Sequence, residues 1–101
     1  MKLEYTDSSK SIKADLLKKY QGIQQYFEKA ELEILEKPFD SVRETIIVGG
    51  RRIDTYKKTV KTAIFSGRFP NAYLYVSLSY AANTDKTKLV ICGVFVRTYA
   101  P

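Results

Sequence analysis

Two tyrosines, Tyr73 and Tyr75, share one side of an alternating run with Ser77 and Ser79, and six cations precede them: Arg51, Arg52, Lys57, Lys58, Lys61 and Arg68. Aromatic rings on the face of a β-sheet stack nucleobases, and Lys or Arg beside them neutralise phosphates. These eight residues are the candidate nucleic-acid-binding set. The same tyrosines would serve equally well as cross-strand packing or as the cover of a subunit interface.

Other chemistry is poorly supplied. The chain has no histidine, the commonest general base and metal ligand, which excludes zinc chemistry and Ser-His or Cys-His catalysis. The strand-forming region offers only Glu44, Asp54 and Asp85 as carboxylates, too scattered for a two-metal site. No phosphate-cradling or dinucleotide glycine pattern is present. The expectation is a protein without metal or cofactor, and binding without catalysis is preferred.

Charge points the same way. The 101 residues carry a net +6. Residues 1–40 hold seven Lys against eight Asp or Glu, net −1, whereas residues 41–70 hold seven cations against two acids, net +5. The last third, with three cations and one acid, adds +2. A basic block of this kind is the footprint of a polyanion, RNA or single-stranded DNA. It is also a charge that solubility alone would favour.

The elements that must position these residues are legible in outline. Leu74, Val76, Leu78 and Tyr80 alternate with Tyr73, Tyr75, Ser77 and Ser79, the period of a half-buried strand. Lys88–Tyr99 is apolar on both faces, as a strand covered on both sides would be. The Asn83–Thr87 segment between them is turn-forming, so Ala72–Tyr99 reads as a hairpin. Val42–Val48 reads as a further strand, and Gly49-Gly50 as a two-residue turn returning the chain from Arg51. Residues 56–66 fit either a helix stripe or a β-rich strand, and strand is preferred. Gly67–Asn71 reads as a loop.

Upstream, Met1–Tyr5 is an edge strand or a frayed arm, and Thr6-Asp-Ser-Ser9 clusters N-cap residues. Ile12, Leu16, Tyr20, Ile23, Phe27, Ala30 and Ile34 then recur at helical spacing. The stripe passes through Gly22 in register, so it predicts one helix over Ser11–Glu36, about 39 Å long, ended by Pro38.

The fold class is therefore α+β: one domain over 1–101, with a long N-terminal helix (1–40) packed on an antiparallel sheet of about four strands (41–101). Leu16, Ile23, Phe27, Leu78, Ile91, Val94 and Phe95 should form the core. A helix longer than the sheet, and an open edge at residues 56–66, imply a homodimer or a place in a larger assembly. The longest apolar run, Leu89–Val96, is too short to span a bilayer, and the amino terminus does not resemble a signal peptide. The lone Cys92 reads as a small buried residue, and with no disulfide the expected compartment is reducing: a cytoplasm, or a virion assembled in one.

Glu4-Tyr-Thr-Asp-Ser-Ser-Lys10 leading into Asp15-Leu-Leu-Lys18, with Tyr73-Leu-Tyr-Val-Ser-Leu-Ser-Tyr80 and Leu89-Val-Ile-Cys-Gly-Val-Phe-Val-Arg97, resembles the opening and the closing hairpin of the RelE/ParE toxin superfamily. The resemblance covers roughly half the chain. It implies metal-independent mRNA cleavage, with cations stabilising phosphate charge and a Tyr or Lys moving protons. Carried over, Arg97 takes the strand-end arginine, Lys58 or Lys61 the basic cluster, and Tyr99 the terminal tyrosine. Three features depart from that pattern: Leu74 stands where the family has an arginine, the 42–66 segment is longer, and one helix replaces a helical hairpin. A third class of reading is non-enzymatic: a viral or assembly subunit, or an inhibitor that binds a protein partner.

Overall fold

Gly22 cuts the helical stripe. Its φ of +83° lies outside the right-handed helix, and two 13-residue helices flank it: α1 (Asp7–Lys19) and α2 (Gln24–Glu36). Tyr20 closes α1 by donating its N–H to the Leu16 carbonyl at 2.9 Å, and Ile23 opens α2. The predicted single helix is thus corrected to a helical pair. Each half rises about 20 Å, so neither overhangs the sheet as one long helix would. The apolar positions stay in register because both helices lie on the same sheet.

The computed structural model describes residues 1–65 and 72–99; the expected loop at 67–71 and Arg68 lie outside them. The strands are β1 (Lys2–Tyr5), β2 (Val42–Val48), β3 (Arg51–Phe65), β4 (Tyr73–Ala82) and β5 (Lys88–Tyr99). They form one five-stranded sheet of order β1-β5-β4-β3-β2. The class is α+β, but the sheet is mixed: β1 runs parallel to β5, and every other pairing is antiparallel.

The helices cover one face. Ile23, which caps α2, and Phe27, Ala30 and Ile34 within it pack on Val60, Val76, Leu78, Tyr80, Leu89, Ile91 and Val94, all buried. Full burial of a residue such as Phe27 or Ile34 is worth about 1.5–3 kcal/mol. α1 adds the half-buried Leu16, Leu17 and Tyr20, and leaves Ile12 exposed. Its start is fixed by Thr6, whose hydroxyl accepts the Ser9 N–H at 3.2 Å. The Tyr80 hydroxyl donates to the Pro38 carbonyl at 2.7 Å and lies 2.8 Å from that of Ser41. That ties the link after α2 to the middle of the sheet.

The expected strand at 56–66 is the second half of β3. β2 flanks it only as far as Lys57, so among the described residues Lys58–Phe65 is an edge with no strand on that side, as expected; Ser66 lies outside the described residues. Beyond Lys57, α2 lies beside the strand: the Tyr26 hydroxyl accepts the Ala63 N–H at 3.0 Å. Gly49 and Gly50, both at positive φ (56° and 78°), make the tight turn between β2 and β3. At the β4–β5 turn, Asn83 Oδ1 accepts the N–H groups of Thr87 and Lys88, each at 2.9 Å.

β5 is apolar on both faces for a reason the expectation missed. Tyr80 pairs with Ile91 but Ser79 pairs with Gly93, so Cys92 is an extra residue, a β-bulge. The bulge switches the phase of the strand. Leu89 and Ile91 face the helices before it, and Val94 and Val96 after it. The strand is therefore covered on one side only. Phe95, expected in the core, stands on the other face and is 39% exposed. Cys92, expected to be buried, is exposed.

Candidate nucleic-acid interface

The sheet face opposite the helices is built in rows, because antiparallel register sets residues of neighbouring strands side by side. One row runs Lys61, Tyr75, Arg97 across β3, β4 and β5. The next runs Thr59, Ser77, Phe95, and the one after it Lys57, Ser79, Gly93. Phe65 and Tyr73 pair on the other side of the first row, their rings meeting edge to face at 6.2 Å. Neighbouring strands lie about 4.8 Å apart, so the two cations of the first row flank Tyr75 at the spacing of one strand each.

Several contacts hold these groups. The Lys61 ammonium lies 5.6 Å from the centre of the Tyr73 ring, and the Arg97 guanidinium 5.2 Å from that of Phe95. Both are cation–π distances. The Thr59 and Ser77 hydroxyls are 3.0 Å apart. A Cβ at Gly93 would come within 3.0 Å of the Phe95 ring and 3.2 Å of Ser79, so the absence of a side chain there is what lets Phe95 lie across the strand.

Beside the rows is an open groove of about 440 Å³, bordered by Glu44, Lys57, Ser79, Cys92, Phe95 and Arg97 among others. The Lys57 ammonium is 3.8 Å from the Glu44 carboxylate. The Cys92 thiol sits 3.5 Å from the Ser79 carbonyl, and although the residue is exposed, partial desolvation of the sulfur raises its pKa above the ordinary thiol value. Among the described residues, no three Cys, Asp or Glu side chains gather to hold a metal ion.

The structure separates the basic block that sequence places together. Lys57 and Lys61 lie on the open face with Tyr73 and Tyr75. Lys58, one residue on from Lys57, points to the helix side and pairs with Glu33 of α2 at 3.5 Å; it leaves the site. Arg51 and Arg52 follow the Gly49-Gly50 turn at the far end of β3, about 30 Å of strand from Lys61. Arg68 and the Tyr99 side chain lie outside the described residues. In exchange the face gains Phe95, Glu44 and Cys92, and it brings Arg97 opposite Tyr75. The signal that could have found Phe95 is the Cys92-Gly93 pair, a small-residue break inside an apolar strand.

No family model, no curated protein and no solved structure matches the chain. Among the described residues no helix is long and apolar enough to cross a membrane.

Proposed function

We propose that the protein binds single-stranded nucleic acid, RNA or DNA, on the open face of its sheet, in a cytoplasmic setting and without strong sequence preference. The observation that carries this reading is the Lys61–Tyr75–Arg97 row. It alternates cation, ring and cation across three strands, which matches a strand whose phosphates follow the charges while a base lies on the ring. Tyr73 and Phe95 extend the aromatic surface on either side. Stacking accepts any base, so little sequence readout is expected. The deciding experiment is a titration of labelled single-stranded and duplex oligonucleotides across a salt series. Single strands should bind more tightly, with an affinity that falls as salt rises. No binding to either at low salt would end the proposal.

A second reading is favoured by the groove itself: the bound strand is RNA, and it is cut there. Glu44 is a carboxylate placed to accept a proton from a ribose 2′-hydroxyl. The oxygen so freed attacks the adjacent phosphorus, the bond to the 5′-oxygen breaks, and that oxygen takes up a proton from water while Glu44 returns its own to solvent. Lys57 and Arg97 would stabilise the charge on the phosphate. The RelE/ParE resemblance likewise implies metal-independent RNA cleavage with cations on the phosphate, but with a Tyr or Lys rather than a carboxylate moving the proton; the paired helices remove one departure from that pattern. Lys58 has no part in it here, because it faces α2. Incubation with RNA and with DNA of the same sequence tests the reading. Cleavage of RNA alone, leaving 2′,3′-cyclic phosphate ends and lost in Arg97→Ala and Glu44→Gln, would support it; intact RNA would leave binding without catalysis.

A further inference from the structure

The far end of the β2–β3 hairpin stands outside the packed part of the molecule. β3 pairs with β4 only from Tyr56 onward, so Arg51–Thr55 pair with β2 alone. Thr55 at the base is buried, so four residues of strand, Arg51–Asp54, project about 13 Å. Their apolar side chains are uncovered on both faces: Ile47 is 72% exposed, and the cross-strand pair Ile46 and Ile53 are 36% and 37% exposed. Val42 at the base is 68% exposed. A two-stranded ribbon is marginal by itself in water, and three or more strands are needed for independent stability. β2 is also an unguarded edge. It has no proline, no lysine and no break in register, any of which would discourage another strand from pairing with it.

We propose that a second copy of this chain covers the ribbon, with β2 running antiparallel to the partner's β2. Charge selects this occupant. A chain of net +6 repels its own copy over most of its surface, but β2 carries one Arg and one Glu, and Arg43 is hydrogen-bonded to Asp54 across the ribbon. Full overlap of Val42–Val48 with its copy puts Thr45 on the two-fold axis. Gly50 then falls opposite the partner's Asp40, and the basic tip, Arg51 and Arg52, lies beside the acidic link formed by Glu36 and Asp40, with Lys37 the one cation between them. Two-fold symmetry makes that contact twice. The same register sets Ile46 opposite the partner's Glu44 and diagonal to the partner's Ile46 on the open face, and it sets Ile47 against the stem of the partner's Arg43. Two marginal ribbons become a four-stranded sheet. The inference stands independently of nucleic-acid binding.

The test is the mass of the full chain by sedimentation velocity, without nucleic acid, over a wide concentration range. The expected result is a dimer that dissociates as salt rises. Ile47→Lys should weaken it by at least about tenfold in Kd, whereas Leu32→Lys, on an exposed patch of α2, should leave it unchanged. Asp40→Arg alone and Arg51→Glu/Arg52→Glu alone should each be monomeric, and mixing the two should restore a heterodimer because both contacts are then complementary. That restoration also shows that both variants are folded. A wild-type monomer at every concentration overturns the proposal. So does a dimer that Ile47→Lys does not weaken, or one that Leu32→Lys disrupts, since either places the contact elsewhere.

Discussion

Tyr75 and Arg97 face each other directly across β4 and β5, although they lie 22 positions apart in the chain. The pairing depends on the extra residue at Cys92, without which the register of the hairpin would bring a different residue of β5 to Tyr75. Binding therefore tests the geometry of the bulge as well as the side chains.

The salt dependence should reflect three cations on the open face, Lys57, Lys61 and Arg97. If each meets one phosphate, log K should fall against log salt with a slope of about −2 on single strands. Lys57→Ala, Lys61→Ala and Arg97→Ala should each flatten that slope by about 0.7. Lys58→Ala should leave it unchanged, because that side chain lies on the helix side of the sheet, against Glu33 of α2. Titrations of the four variants at several salt concentrations check this.

Stacking should be measurable separately. Tyr75→Ala and Phe95→Ala should each cost about 1–3 kcal/mol of affinity for single strands if a base lies on the ring, with little loss on duplex. The salt slope should not change in either variant, since neither removes a charge. Equal losses on single strands and duplex would place the rings outside the contact.

Cys92 gives a pH-dependent probe of the groove. Partial desolvation of the sulfur disfavours the thiolate and so raises the pKa, which leaves a smaller reactive fraction at neutral pH than in a fully solvated thiol of pKa about 8.5. Alkylation should therefore be slow near neutrality. It should still be climbing with pH where a free cysteine has already levelled off. A bound oligonucleotide should slow it further, because the thiol borders the groove. Alkylation rates measured against pH, with and without an oligonucleotide, decide the matter.

Gly22→Ala separates the two accounts of the N-terminal segment by the sign of its effect. At φ +83°, a side chain costs about 1–2 kcal/mol, so denaturant unfolding should show a loss of stability. A continuous helix would instead gain about 1 kcal/mol from the same change.

What could be read from sequence depended on how local its cause is. The alternation that buries Leu74, Val76, Leu78 and Tyr80, the positive φ values at Gly49-Gly50 and the Thr6 cap are settled by neighbours in the chain, and all were legible. Gly22 was not, because a glycine in register with an apolar stripe reads the same whether it lies inside a helix or between two helices on one sheet. The core position expected of Phe95 failed because a single bulged residue reverses which face every later side chain takes. The basic block failed for a related reason. Lys57 and Lys58 are adjacent in sequence, and adjacency in a strand means opposite faces.

The parallel pairing of β1 with β5 joins Lys2–Tyr5 to Lys88–Ile91. The first strand of the sheet therefore waits for the last. During synthesis, the helices and the β2–β3 hairpin can form as they emerge, whereas Leu3 and Tyr5 have no strand to join until β5 is free. Loop closure over nearly the whole chain comes late and slows folding. A chain that stops short of Lys88 lacks the strand that separates β1 from β4, and it should persist as a partly ordered species whose amino-terminal residues exchange their amide hydrogens freely.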